Sequence, residues 1–186
     1  MAPEAPLEHT DHGLAPAARE GWFVLNAREA RWRRRPGRGH SLPLTGWSDE
    51  ECETYFKQLG VAVFVLGPGE PIGMYHWEAD TEGFLVLSGE ALLIVESEER
   101  PLHAWDYFHC PPRVEHMILG AGDGPCVVLA VGSRQFAATP QWGGYTADET
   151  ARRHGVSVEE DTPEPDVAYA PFEPPEPARY DGWLDG

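Results

Sequence analysis

Gly73-Met74-Tyr75-His76-Trp77-Glu78-Ala79-Asp80-Thr81-Glu82-Gly83-Phe84-Leu85-Val86-Leu87-Ser88-Gly89 is the stretch on which the reading of the fold turns. Phe84 to Leu87 is an apolar run too short for a core helix and is closed by glycines, which reads as a strand. The same signature repeats on both sides. VAVFVL (Val61 to Leu66) is β-branched and stops at Gly67-Pro68-Gly69, and GEALLIVE, RPLHAWDYFHCPP, EHMILGAG and PCVVLAVG follow up to Gly132. Turn residues recur at the spacing of short strands and no helical period intervenes, so the expected fold is all-β: an antiparallel barrel or double-sheet jelly roll over residues 61–133.

Outside the barrel the composition changes twice. Residues 1–20 are rich in Ala, Pro and Glu with few large apolar side chains, and read as a loose tail. Residues 21–60 hold GWFVLNA and then six arginines from Arg28 to Arg38. The expected arm lays Trp22, Phe23 and Trp32 on the barrel while its arginines pair with the acidic remainder; a patch for an anionic ligand is the alternative reading. Ser48-Asp49-Glu50-Glu51 forms a capping-box pattern that predicts a short helix ending at Gly60. Beyond residue 134, Thr146-Ala147-Asp148-Glu149 predicts a second short helix ending at Gly155, and the Pro-rich acidic remainder reads as an extended strap carrying Tyr169, Phe172, Tyr180 and Trp183, without a strand ladder of its own.

The 186 residues contain 14 Lys plus Arg against 31 Asp plus Glu, a formal charge of −17, and this argues against a nucleic acid partner. The 20 glycines and 18 prolines suit short strands joined by turns rather than a helix bundle. Cys52, Cys110 and Cys126 are widely spaced, so no disulfide framework or thiolate zinc site is expected. No apolar run reaches the length of a membrane span and the N-terminus lacks the pattern of a signal peptide, which gives no membrane partner and a cytoplasmic location as expectations.

Chemistry concentrates where charges enter the strands. His76 and Glu78 are two apart and share one face of a strand, and Glu82 lies at the same parity beyond a tight turn. Buried carboxylates beside a histidine repel unless an opposite charge joins them, and a divalent cation supplies it. Pro111-Pro112 then turns the chain so that His116 opens the next strand pointing inward. Two His and two Glu form a mixed nitrogen and oxygen set suited to Fe, Mn, Ni or Zn. The alternative is a metal-free pocket in which these groups pair with one another.

At these residues the chain resembles the cupin superfamily, specifically its small single-domain conserved-barrel members. The first cupin motif, His-x-His followed by Glu and a closing Gly, corresponds to His76-Trp77-Glu78, Glu82 and Gly89. The second, Gly then Pro-x-Gly-x-x-His and Asn, corresponds to Trp105, Pro111-Pro112-Arg113-Val114-Glu115-His116 and Gly120. Glu78 stands where that pattern has histidine, Trp105 and Arg113 where it has glycine, and Gly120 where it has asparagine. The resemblance covers roughly residues 60–133. It implies metal ligands at His76, Glu78, Glu82 and His116, with Glu78 alternatively accepting from a metal-bound water.

Tyr75, Phe84, Trp105, Tyr107, His109 and Met117 are candidates to line a pocket, and Cys110 reads as a small core filler rather than a nucleophile. The resulting expectation is a metalloenzyme of dioxygenase or isomerase type acting on a small polar organic molecule. Its alternative is a non-catalytic, metal-centred module that binds or senses a small ligand. A homodimer through an outer face carrying Trp77, Leu85 and Leu87 is expected.

Overall fold

A computed structural model describes residues 2–17, 21–48, 53–56 and 58–182. In chain order the strands are β1 (Leu7–Thr10), β2 (Gly13–Pro16), β3 (Trp32–Arg34), β4 (His40–Pro43), β5 (Gly46–Ser48) and β6 (Glu53–Tyr55). They continue with β7 (Leu59–Leu66), β8 (His76–Glu78), β9 (Glu82–Ser88), β10 (Glu90–Val95), β11 (Glu98–His103) and β12 (Tyr107–Cys110). After β13 (His116–Ala121), β14 (Cys126–Ser133) and β15 (Gly143–Tyr145) come two short helices, α1 (Glu149–Arg153) and α2 (Pro165–Ala168), and a last strand β16 (Glu176–Ala178).

The strands form two antiparallel sheets packed face to face. One has five strands in the order β11-β10-β13-β8-β15; the other has seven in the order β12-β9-β14-β7-β4-β3-β16. This is the expected jelly roll, with β7 to β14 as its central strands. Strand alternation divides the side chains: on β9, Phe84 and Val86 point between the sheets, and on β13 so does Ile118, joining Leu66, Leu93, Cys110, Cys126 and Val128 in the central core. The opposite parity faces outward and is covered by the extensions. Val65, Val127 and Leu87 pack under Trp32, Leu42 and Ala15, while Met117 and Leu119 pack under Ala151 and Val156 at α1.

The extensions are therefore part of the barrel rather than additions to it. The arm contributes β3 and β4 to the larger sheet, the strap contributes β15 to one sheet and β16 to the other, and β16 pairs with β3 through Ala178↔Trp32 and Glu176↔Arg34. The strap does form a ladder, at an edge position, where Pro177 is tolerated. The N-terminal segment is not loose: β1 and β2 make a hairpin, Ala5 N donates to Trp22 O, and Arg31 N to Leu14 O. Small alanines let it lie close, with Ala5 and Ala15 buried, so backbone hydrogen bonding replaces the missing bulky side chains. Trp32 is buried as expected, whereas Trp22 is 52% exposed.

The helix expected from Ser48 to Gly60 is replaced, in its described part, by strands: Gly46–Ser48 pairs with Glu53–Tyr55, and Gly60 already belongs to β7. Backbone pairing between these strands overrides the capping pattern, whose residues 49–51 lie outside the described residues. The second helix exists but starts later. Asp148, not Thr146, is its N-cap and accepts from Ala151 N at 2.7 Å. It ends at Gly155 (φ +71°), where Gly155 N donates to Arg152 O and Val156 N to Ala151 O, a Schellman closure. Among the described residues no helix is long and apolar enough to cross a membrane. The outer face proposed for pairing two copies is partly used within the chain: Leu87 packs in the Trp32 cluster, and the Arg113 guanidinium sits over the Trp77 ring at 5.3 Å.

Candidate metal centre

His76 opens β8 and His116 opens β13, and the two strands pair with these residues directly opposite each other. Their rings are 4.8 Å apart, centroid to centroid. Glu82 opens β9 on the facing sheet, so the group spans the sandwich at one end. One ligand atom from each of His76, Glu82 and His116 falls within 4.8 Å of the others.

The backbone sets the tautomer of both imidazoles. His76 Nδ1 lies 2.8 Å from Met74 O, and His116 Nδ1 lies 3.1 Å from Val114 O, with Cys110 Sγ 3.4 Å away. A carbonyl only accepts, so each Nδ1 carries the hydrogen and each Nε2 presents a lone pair to the cavity. This is the orientation in which histidine binds metals, with its second nitrogen fixed by a neighbour. His116 is 1% exposed, and its Nε2 stands 3.2 Å from Glu82 Oε2 in a misaligned geometry that leaves both buried atoms without a hydrogen bond.

Two buried acceptors facing one another at that distance need a positive charge between them, which a proton on His116 or a bound cation supplies. Burial pushes the Glu82 carboxyl up, but the contact and charge of His116, helped by His76, outweigh it and hold Glu82 below the ordinary carboxylate range. Burial likewise pushes His116 down, and Glu82 overcomes it, leaving the imidazole above its usual value. The site thus attracts a positive charge, and two imidazole nitrogens plus a carboxylate fit a borderline divalent ion rather than a thiolate-selective one.

Glu78 does not join this group. Its Oε1 lies 3.6 Å from His76 Nε2, on the same strand face, and its side chain is 28% exposed. It borders two hollows at once. One, of about 170 Å³, is lined by His76, Glu82 and His116 with Phe64, Ile72, Phe84 and Tyr169; the other, of about 210 Å³, runs from Phe64 past Glu78 and Glu82 to Arg134.

Of the pocket candidates, Phe84 and Met117 border the metal cavity. Tyr75 does not: it is fully buried in the cluster under α1, where its hydroxyl accepts from Ser97 N at 3.1 Å, because it alternates with His76. Trp105 is 76% exposed at the β11–β12 turn, and Tyr107 and His109 are exposed because Phe108 and Cys110 take the inward parity of β12. Cys110 is a core filler as expected, and burial next to Glu82 raises its thiol to about 12.

Four contributors went unread in the sequence. Phe64 and Ile72 are wall residues whose inward parity needed the register of β7. Tyr169 arrives from the strap; its hydroxyl accepts from Met74 N at 3.4 Å, and its position within the spaced aromatics was the available signal. Asp80, 4% exposed, is the fourth. It accepts from Ser133 Oγ at 2.7 Å, Gln135 N at 3.0 Å and Phe136 N at 2.9 Å, tying the end of β14 to the turn that carries Glu82.

Residues 62–132 match the family model described as Cupin domain. Among solved structures, a protein from Acidithiobacillus ferrooxidans is 28% identical over 41% of this chain and 51% of its own, with a TM-score of 0.40. A sugar phosphate isomerase from a cupin superfamily, from Silicibacter pomeroyi, is 26% identical over 59% of this chain and 62% of its own, with a TM-score of 0.43. A Cupin 2 conserved barrel domain protein from Salinispora arenicola is 21% identical over 62% of this chain and 81% of its own, with a TM-score of 0.42. The chain therefore spans about half the length of the first of these and less than two thirds of the second. No curated protein matches.

Proposed function

The chain is a cupin-superfamily protein whose cupin domain covers residues 62–132, and from that premise we propose that it is a metal-dependent enzyme catalysing proton transfer on a small polar organic molecule, as an isomerase does. His76, Glu82 and His116 would hold the ion, with their Nε2 and carboxylate lone pairs already turned toward one another. When bound, a divalent ion supplies Lewis-acid stabilisation of charge developing on a substrate oxygen.

The observation that carries the proton-transfer reading is the place of Glu78. Its carboxylate stands beside His76 at 3.6 Å, outside the three-residue group, on the rim shared by the two hollows. A carboxylate not committed to the ion, at the edge of the substrate space, can take a proton from one carbon or oxygen and return it to another. Phe64, Phe84 and Ile72 wall the cavity, exclude water and limit the reacting part of the substrate to a few heavy atoms in about 170 Å³.

Metal analysis followed by a hydrogen-exchange assay tests this reading. Protein reconstituted separately with Fe(II), Mn(II), Ni(II) and Zn(II) is incubated in D₂O with a panel of small α-hydroxy ketones and aldehydes. Deuterium entering the carbon next to the carbonyl, seen by NMR and lost in Glu78→Gln while metal content stays stoichiometric, supports it. Oxygen uptake with Fe(II) in place of exchange would move the chain to the dioxygenase class. Saturable ligand binding without exchange or uptake would make it the non-catalytic module.

A further inference from the structure

A cleft of about 620 Å³ lies beside the metal cavity, between the arm and the strap. Arg35 and Arg38 line its floor and Tyr169 and Phe172 one side, while Phe64, Ile72 and Tyr169 belong to both the cleft and the metal cavity. Cleft and cavity share a wall, so one molecule can touch both.

The two arginines are not surface charges. Arg35 is 6% exposed and Arg38 7%. Arg35 donates from Nη1 to Ile72 O at 2.6 Å and from Nη2 to Arg38 O at 2.5 Å, which fixes its fork, and its Nε has no partner. The Arg38 guanidinium lies over the Tyr169 ring at 4.6 Å and the Phe172 ring at 5.0 Å, and its Nε too is buried without a hydrogen bond.

Among the described residues neither has a carboxylate within ion-pair distance. Glu70, whose field reaches Arg35, accepts from Gly67 N at 2.7 Å, and the cleft's own acids, Asp166 and Glu173, are exposed at its rim. Burial lowers Arg35 to about 9, with the charge of Arg38 adding to the effect, and burial lowers Arg38 as well. Arg34, by contrast, is an ordinary exposed ion pair with Glu176 at 2.8 Å. A pair of neighbouring buried guanidiniums with open donors and no counter-charge is costly unless an anion completes it.

We propose that the Arg35–Arg38 cleft binds an oxyanionic group of the substrate, a carboxylate or phosphate ester, and thereby holds the substrate's other end at the metal cavity. The metal end of this statement rests on the function proposed above; the anion end stands by itself. The Arg38 guanidinium fork fits two oxygens of either group, with the Arg35 charge beside it, and the Tyr169 and Phe172 faces keep Arg38 in place without using its donors.

The test is calorimetric titration of inorganic phosphate and, separately, malonate into the full chain, metal-loaded and chelator-treated. Saturable binding of one or both anions is expected, and the stronger arm tells phosphate from carboxylate. Arg38→Gln should weaken it at least tenfold with metal content unchanged and a single cooperative thermal transition retained, its midpoint moving only by the lost contact with Tyr169 and Phe172. Arg34→Gln serves as the surface control and should leave affinity within twofold. Absence of saturable binding overturns the proposal. So does equal weakening by Arg34→Gln, or binding that disappears with the metal, which would place the anion on the ion instead. Metal content measured on the same samples reports independently on the metal reading.

Discussion

His76 and His116 face each other across paired strands, and each hands its Nδ1 hydrogen to the carbonyl two residues earlier, Met74 for one and Val114 for the other. The local backbone thus aims both Nε2 atoms before any ion is present. Such prior orientation removes part of the entropic cost of binding.

Removing a member of the group should therefore be read as lost affinity rather than lost fold. His116→Ala and Glu82→Gln are each expected to weaken divalent metal binding by at least tenfold, as seen by competition with a chelating dye, on the scale known for perturbing metal surroundings. Undiminished affinity in both would remove these residues from the site.

Asp80 should matter for stability more than any exposed acid. Replacing it by alanine leaves Ser133 Oγ and the N–H groups of Gln135 and Phe136 without their acceptor, and the expected cost is about 2–4 kcal/mol. Urea denaturation of Asp80→Ala checks this; a change under about 0.5 kcal/mol would show that water replaces the carboxylate.

Trp105 holds φ +75° while 76% exposed, a left-handed backbone at a turn where its side chain packs on little. Trp105→Gly is expected to stabilise the fold by roughly 0.5–1 kcal/mol, the relief of left-handed strain less the extra entropy of glycine. Arg113, at φ +71°, gains less from the same change, because its guanidinium covers Trp77. A lower thermal midpoint for Trp105→Gly would count against the strain.

Asp148 gives the chain a pH dependence whose sign is fixed. Burial pushes its carboxyl up, but hydrogen bonds from Ser97 Oγ at 2.6 Å and Ala151 N at 2.7 Å prevail and hold it below the ordinary aspartate range. A depressed carboxyl contributes its full stability above the unfolded pKa of about 3.9 and loses it as pH falls through the folded value. Wild type should exceed Asp148→Ala by about 1 kcal/mol at pH 7, the usual worth of an N-cap, and the gap should close in acid. A gap independent of pH would mean that the carboxylate charge is not what caps α1.

The thiols supply a chemical check. Burial holds Cys110 at about 12 and Cys126 at about 11, so in the native chain at pH 7.5 neither should react with iodoacetamide at a rate near that of a free thiol. Peptide mass mapping reads this directly, and rapid alkylation of Cys110 would show that the core around His116 opens.

Much of the barrel was legible because strand signals are local. Apolar runs of strand length, closed by Gly67-Pro68-Gly69, Gly89 and Pro111-Pro112, announce themselves without knowledge of their partners. His76, Glu82 and His116 were legible for the same reason, as ionisable residues at inward parity. What escaped reading depends on register or distant packing. Whether Tyr75 or His109 faces the cavity depends on which parity the partner strand buries, and one step reverses it. Glu78 shares the face of His76 yet stands apart from Glu82, a matter of strand length and sheet spacing. The Ser48 capping pattern and the alanine-rich start misled because tertiary pairing overrides local preference.

The pairing of β16 with β3 joins Arg34 to Glu176 across a separation of 142 residues, whereas the three metal-centre residues lie within the span from His76 to His116. Contacts so far apart in sequence form late, because the whole intervening chain must be made and ordered first. On a translating ribosome the strands that carry the histidines can pair while the strap is still unsynthesised. The arginine cleft gains its aromatic side only when residues 165–178 arrive, so the His76, Glu82 and His116 group can assemble before the cleft has both its walls.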